Sequence, residues 1–270
     1  MTRIPRDTSM RRRHLLALLA ALPVARAAFA VDADTGFVLL HGKQSRAGEP
    51  AEVASRLKAA GLLVATPEMP WSQRREYDVP YADALEEAAA AAKELQARGA
   101  KRVVVGGHSL GANAALAYAA SGRPLAGVVA LSPGHAPDAP GFRRGVAPGL
   151  QKAQEMVARG AGEEKAWFPD SNQGRSRQVR TTAAAYLSYF DPQGLGSMVK
   201  SCRAIPAGVP LFMSVGEPEG ILAYARDTLF TAAPKHPKSV FLVVPGDHLG
   251  APRASADRLV QWVEALGTTS

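Results

Sequence analysis

A single cysteine, Cys202, stands in a chain of 270 residues, so no internal disulfide can form and packing alone must hold the fold. Nothing beside Cys202 marks it as a reactive thiol, and it reads as a small buried side chain. No internal repeat is visible, and no His, Asp and Cys cluster has the spacing of metal ligands, so neither a metal nor another cofactor is expected. Basic residues do not gather into a helix or stripe interleaved with aromatics, which removes nucleic acid as an expected partner. The apolar run over 15–25 is too short to span a bilayer.

What is present divides into a short leader and a long body. Arg3, Arg6, Arg11, Arg12 and Arg13 precede that apolar run, and Ala25-Arg26-Ala27 and Ala28-Phe29-Ala30 each fit a small-x-small cleavage site. Residues 1–30 therefore read as a secretory signal peptide, and the consecutive arginines before His14-Leu15-Leu16 resemble a twin-arginine export signal. The expected location is the periplasm or the outside of the cell, with no stable membrane insertion after cleavage. This segment holds six arginines and one acid, a net of +5, so the formal +8 of the whole chain falls to +3 over 31–270. The basic character belongs largely to the leader. With 47% hydrophobic and 21% charged residues, 31–270 is expected to fold as one domain.

The most informative stretch is Lys101-Arg-Val-Val-Val-Gly-Gly-His-Ser-Leu-Gly-Ala-Asn-Ala-Ala-Leu116. Val103, Val104 and Val105 suit a strand buried on both faces. Gly107-His108-Ser109-Leu110-Gly111 follows at once, and the alanine-rich segment 112–120 then favours a helix closed by Ser121-Gly122. Strand, tight turn and helix in this order place Ser109 at a sharp bend with small residues on both sides. The helix that starts at Leu110 aims N–H groups and a partial positive charge at whatever Ser109 attacks. With Gly-x-Ser-x-Gly in that setting, the chain resembles the α/β-hydrolase superfamily of serine esterases, lipases and thioesterases.

The resemblance implies an α/β fold with a mostly parallel, doubly wound sheet, and the remaining pattern agrees. Strands are expected over 35–42, 62–65, 125–131, 209–215 and 239–244, and helices over 49–60, 80–98 and 253–266. Between 133 and 205 prolines, glycines and charges dominate, with helical candidates over 150–159 and 181–190 and no strand, which reads as a lid-like insertion. Its residues Arg143, Arg144, Arg175, Arg177, Arg180, Lys200 and Arg203 suit a solvated surface or an anion-binding mouth. The loop 67–78, interrupted by Pro67 and Pro70, carries Trp71 and Tyr77. Trp71 is expected to line a substrate pocket, with packing at the domain edge as the other reading for both rings.

The family's functional positions fall on particular residues here. Ser109 corresponds to the nucleophile and His248, in a loop before the last helix, to the base. Glu219 follows a strand in a Gly-x-x-acid turn and corresponds to the triad acid, with Glu217 and Asp138 as rivals. The oxyanion-hole donors correspond to the N–H of Leu110 and to that of Lys43, just beyond His41-Gly42, with Gln44 as the alternative. The order Ser109, Glu219, His248 is that of the fold. The expected function is an exported serine hydrolase of the carboxylesterase kind acting on a small-molecule ester. Two alternatives stay open: an exported binding protein that keeps the fold without turnover, and a peptidase or acyltransferase using the same triad. Nothing in the sequence fixes the oligomeric state.

Overall fold

The computed structural model describes residues 34–267, so the expected signal peptide lies outside the described residues. Six parallel strands form one sheet in the order β2-β1-β3-β4-β7-β8. They are β1 (Thr35–Leu40), β2 (Leu63–Ala65), β3 (Arg102–Ser109), β4 (Gly127–Pro133), β7 (Leu211–Gly216) and β8 (Val240–Val244). A hairpin of β5 (Lys165–Asn172) and β6 (Arg175–Thr182) stands apart from it. The helices are α1 (Ala51–Ala59), α2 (Tyr81–Ala97), α3 (Leu110–Ala120), α4 (Pro140–Ala158), α5 (Ala183–Phe190), α6 (Met198–Ala204), a short α7 (Leu222–Tyr224) running into a π-helical turn (Ala225–Phe230), and α8 (Ala251–Leu266).

Alternation along the strands divides the core between two faces. Phe37, Leu39, Val104, Val129, Leu131 and Phe212 point to one face, where Val53 and Leu57 of α1 and Leu259, Trp262 and Val263 of α8 cover them. Val38, Leu40, Val105, Val128, Ala130 and Met213 point to the other, under α2, α3 and the 134–204 segment. Helix α3 is buried from Leu110 to Ala119. Its five buried alanines let it lie close on the sheet, as a helix apolar all round must when it has no solvent face.

The insertion is more ordered than its composition suggests. Helix α4 begins ten residues before the expected 150–159 segment, carrying Pro148 in its interior and glycines at 141, 145 and 149. Small size is needed at Gly149, where a Cβ would stand 2.5 Å from Pro169 Cδ and 2.7 Å from the Tyr186 hydroxyl. The expectation of no strand here is corrected by β5 and β6. Pro169 is tolerated because a two-stranded ribbon has a free edge on each strand. Helix α5 starts where Thr182 Oγ1 accepts the Ala185 N–H at 3.1 Å, an N-cap that agrees with the expected 181–190 helix.

Candidate active site

Strand β3 turns into α3 at Ser109, whose φ of 57° is a left-handed conformation rarely adopted by a residue with a side chain. Packing imposes it. A Cβ at Gly107 would sit 2.5 Å from Gly111 O, and one at Gly111 would sit 2.2 Å from Leu40 O, so the bend closes only with glycine on both sides. Ser109 lines a cavity of about 700 Å³ at the carboxyl ends of the strands, where ligands bind in open parallel sheets.

Two loops from later in the chain meet Ser109. His248, between β8 and α8, brings Nε2 to 3.0 Å from Ser109 Oγ, and its Nδ1 lies 2.7 Å from Glu219 Oε2. Glu219, beyond β7, accepts two more bonds at Oε1, from Ser132 Oγ at 2.6 Å and from the Gly216 N–H at 2.7 Å. Burial alone would raise its pKa; the bonds from His248, Ser132 and Gly216 outweigh that and hold the carboxyl below its usual value. An ionised Glu219 fixes the Nδ1–H tautomer of His248, and Nε2 is then free to accept the Ser109 proton. Ser132, a contributor the sequence did not reveal, sits at φ 42° at the end of β4. A lone serine carries no pattern that would have marked it.

The rival acids lie elsewhere. Asp138 accepts from Ser197 Oγ at 3.0 Å and from the Tyr224 hydroxyl at 3.3 Å. Glu217 is exposed, with its N–H bonded to Val244 O. His108 points away from Ser109, with Nε2 at 2.8 Å from His248 O, so it braces the backbone of the loop that carries His248. Burial lowers its pKa to about 4, which keeps it neutral and a donor to that carbonyl.

The loop after β1 passes beside the same serine, since a Cβ at Gly42 would lie 3.3 Å from Ser109 Cβ. The Gln44 N–H is spent on Trp71 O at 2.8 Å and that of Ser45 on Gly42 O, which leaves Lys43 as the donor that can turn toward the cavity it lines. The Leu110 N–H, in the first turn of α3, has no intrahelical acceptor. His41 Nδ1 bonds Gly42 O at 2.8 Å while Nε2 accepts the Met69 N–H at 3.0 Å. The expectation that Trp71 lines the pocket is corrected: its ring is 1% exposed, and Nε1 donates to His41 O at 2.7 Å. A large aromatic in a loop suits either role, and here the indole N–H found its acceptor in the loop it braces. Tyr77 is equally buried.

Beneath the cavity lies a charged cluster. Lys43 Nζ bonds Asp170 Oδ1 at 2.6 Å and Ser171 O at 2.9 Å, and the Tyr77 hydroxyl bonds Asp170 Oδ2 at 2.9 Å. Burial lowers the Lys43 pKa, and Asp170 opposes that shift. No arginine of the insertion lines the cavity, so of the two readings of its basic residues the solvated surface is the one that fits. Among the described residues no group of His, Cys, Asp and Glu could hold a metal ion, and no helix is long and apolar enough to cross a membrane.

A parallel sheet of this order with these loops at its carboxyl edge defines an α/β-hydrolase fold. The model of the alpha/beta hydrolase family matches residues 37–267, and the chain belongs to that family. Among solved structures it is similar to a monoacylglycerol lipase of Paleococcus ferrophilus (19% identity, 86% of this chain and 95% of that one, TM-score 0.63). It is also similar to a thermostable carboxyl esterase of Bacillus coagulans (15%, 86% and 88%, 0.59) and a siderophore hydrolase of Aspergillus fumigatus (14%, 87% and 92%, 0.59). No curated protein matches the sequence.

Proposed function

We propose that the protein is a serine hydrolase that cleaves a small-molecule ester through an acyl-enzyme. The observation that carries this reading is the unbroken chain of contacts from Glu219 through His248 to Ser109, at 2.7 and 3.0 Å. In this mechanism Ser109, at the bend between β3 and α3, is the nucleophile. As its oxygen attacks the carbonyl carbon, His248 Nε2 takes the hydroxyl proton, and Glu219 stabilises the imidazolium that results. The N–H groups of Lys43 and Leu110 hold the oxyanion, each worth about 3 kcal/mol of transition-state stabilisation. Collapse of the tetrahedral intermediate expels the alcohol, which leaves with the proton returned by His248. Water, deprotonated by the same nitrogen, then attacks the acyl-enzyme and releases the acid.

Substitution Ser109→Ala is expected to abolish turnover of p-nitrophenyl acetate and labelling by a fluorophosphonate, while the thermal melt stays within a few degrees of wild type. Turnover retained by that variant would remove Ser109 from the mechanism. Export is part of the same proposal and rests on the leader pattern over 1–30; an intact Met1 on the exported protein, read by mass spectrometry, would refute it.

A further inference from the structure

The β5–β6 hairpin reaches the cavity with its tip. Asn172 pairs with Arg175, and the two residues between them, Gln173 and Gly174, both have positive φ, at 48° and 75°. That is the mirror-image turn whose twist matches the strands it joins. Asp170, two residues before the turn, is held by Lys43, by Tyr77 and by Gln44 Nε2 at 3.4 Å. On the other strand Thr181 Oγ1 donates to Tyr77 O, and Arg177 pairs with Glu76. A buried charge pair bonded on several sides has no cheap alternative arrangement, so the tip is fixed against the loop beside Ser109. Ser171, Asn172, Gln173 and Gly174 then form a wall of the cavity.

That wall is polar and has unused bonding capacity. The side-chain amides of Asn172 and Gln173 make no hydrogen bond to any described residue, and each offers two donors and an acceptor. The charges around them are already met. Lys43 faces Asp170, Glu219 faces His248, and Asp247 Oδ1 accepts the N–H groups of Leu249 and Gly250 at 3.2 and 2.9 Å. Apolar lining comes from Phe142, Ile221, Pro133 and Pro218, so the polar tip is one wall of a site whose other side accepts hydrocarbon. A cavity of about 700 Å³ also has room for far more than an acetyl ester of a simple alcohol.

From this wall we infer that the preferred ester is neutral and carries hydroxyl or amide groups that hydrogen-bond to Asn172 and Gln173, which set the specificity. The inference rests on the hydrolase reading above and narrows its substrate class. A hydroxyl suits the amides because it donates and accepts at once; an alkyl group in its place would strip water from the half-buried Asn172 amide with no bond in exchange, whereas the exposed Gln173 amide keeps its water.

Two matched pairs of substrates test it: glyceryl monoacetate against propyl acetate, with the polar group on the alcohol, and ethyl 3-hydroxybutanoate against ethyl butanoate, with it on the acyl group. The readout is the ratio of kcat/KM within each pair, which cancels any general loss of activity, for wild type and for Asn172→Ala/Gln173→Ala, with thermal melts to verify folding. Wild type is expected to favour the hydroxylated member of at least one pair by about tenfold, a single well-placed hydrogen bond's share. The double variant should bring that ratio near unity through KM, and the pair affected identifies which half of the ester faces the tip. A wild type with no preference for the hydroxylated member in either pair, or a hydroxyl preference that survives in the folded double variant, would overturn the inference. Absence of turnover on every ester together with no fluorophosphonate labelling would overturn the hydrolase reading, and this one with it.

Discussion

Glu219 accepts three bonds at two oxygens, and only one of them comes from His248. Substitution Glu219→Gln leaves a neutral amide that no longer favours the imidazolium, and it should lower kcat by about 10³ to 10⁴ with KM little changed, the scale known for losing the acid of such a triad. Ser132→Ala removes a single charge-assisted bond and keeps the one from Gly216. Its cost should be about 2 kcal/mol of transition-state stabilisation, a drop in kcat of roughly 10- to 30-fold. Steady-state kinetics on one activated ester compare the two variants, and equal losses would contradict the arrangement of bonds. What could be read beforehand follows the same division. Ser109 was legible because its bend needs Gly107 and Gly111, which stand in the sequence as a pattern. His248 and Glu219 were legible through their places after strands. Ser132 was not, because its role is created by the approach of β4 to the β7 loop, and Trp71 was misread because burial of an indole depends on an acceptor that only the folded loop supplies.

At the scale of elements, the buried pair Lys43 and Asp170 joins the loop after β1 to the hairpin, with side chains 3% and 0% exposed. Such a pair contributes little over an apolar replacement, yet removing one partner strands the other. Asp170→Ala should therefore destabilise the protein by about 3–5 kcal/mol, whereas Lys43→Met combined with Asp170→Leu should recover most of that loss. Urea denaturation of the single and double variants reads the difference, and a single variant as stable as the double would show that Lys43 reaches water instead. The central strands β1, β3, β4 and β7 were visible in the sequence because burial on both faces demands apolar runs. The hairpin was not, since few of its residues, Phe168 and Val179 among them, reach the larger core while most of the rest face solvent, and Pro169 and Asp170 break the β pattern for reasons of packing and pairing. Helix α4 was shortened in the reading by Pro148 and its glycines, of which Gly149 is required by contact with Pro169 and Tyr186.

For the molecule as a whole, burial of titratable rings sets a stability window in pH. Desolvation lowers the pKa of His41, His108 and His135 from 6.5, to about 4 for His108. In the unfolded chain these rings take up protons as pH falls through 6.5, and in the folded protein they stay neutral, so the unfolded state gains stability over that range. The depressed carboxyl of Glu219 acts in the same direction, its contribution being lost as pH falls through its folded value. At the alkaline end Tyr77, Tyr81, Tyr186 and Tyr189 are raised above 10.0, each chiefly by burial. They stay protonated when folded while the unfolded chain ionises, so stability falls again above pH 10. Each proton of difference changes the free energy of unfolding by about 1.4 kcal/mol per pH unit. Between pH 7.5 and 5.0, His108 alone then accounts for about 2 kcal/mol. Urea denaturation at pH 7.5 and 5.0 should show at least that loss, with a smaller one for His108→Gln. A stability that does not change over this interval would mean that the buried rings take up protons in place, and that the brace from His108 to the His248 carbonyl does not depend on a neutral imidazole.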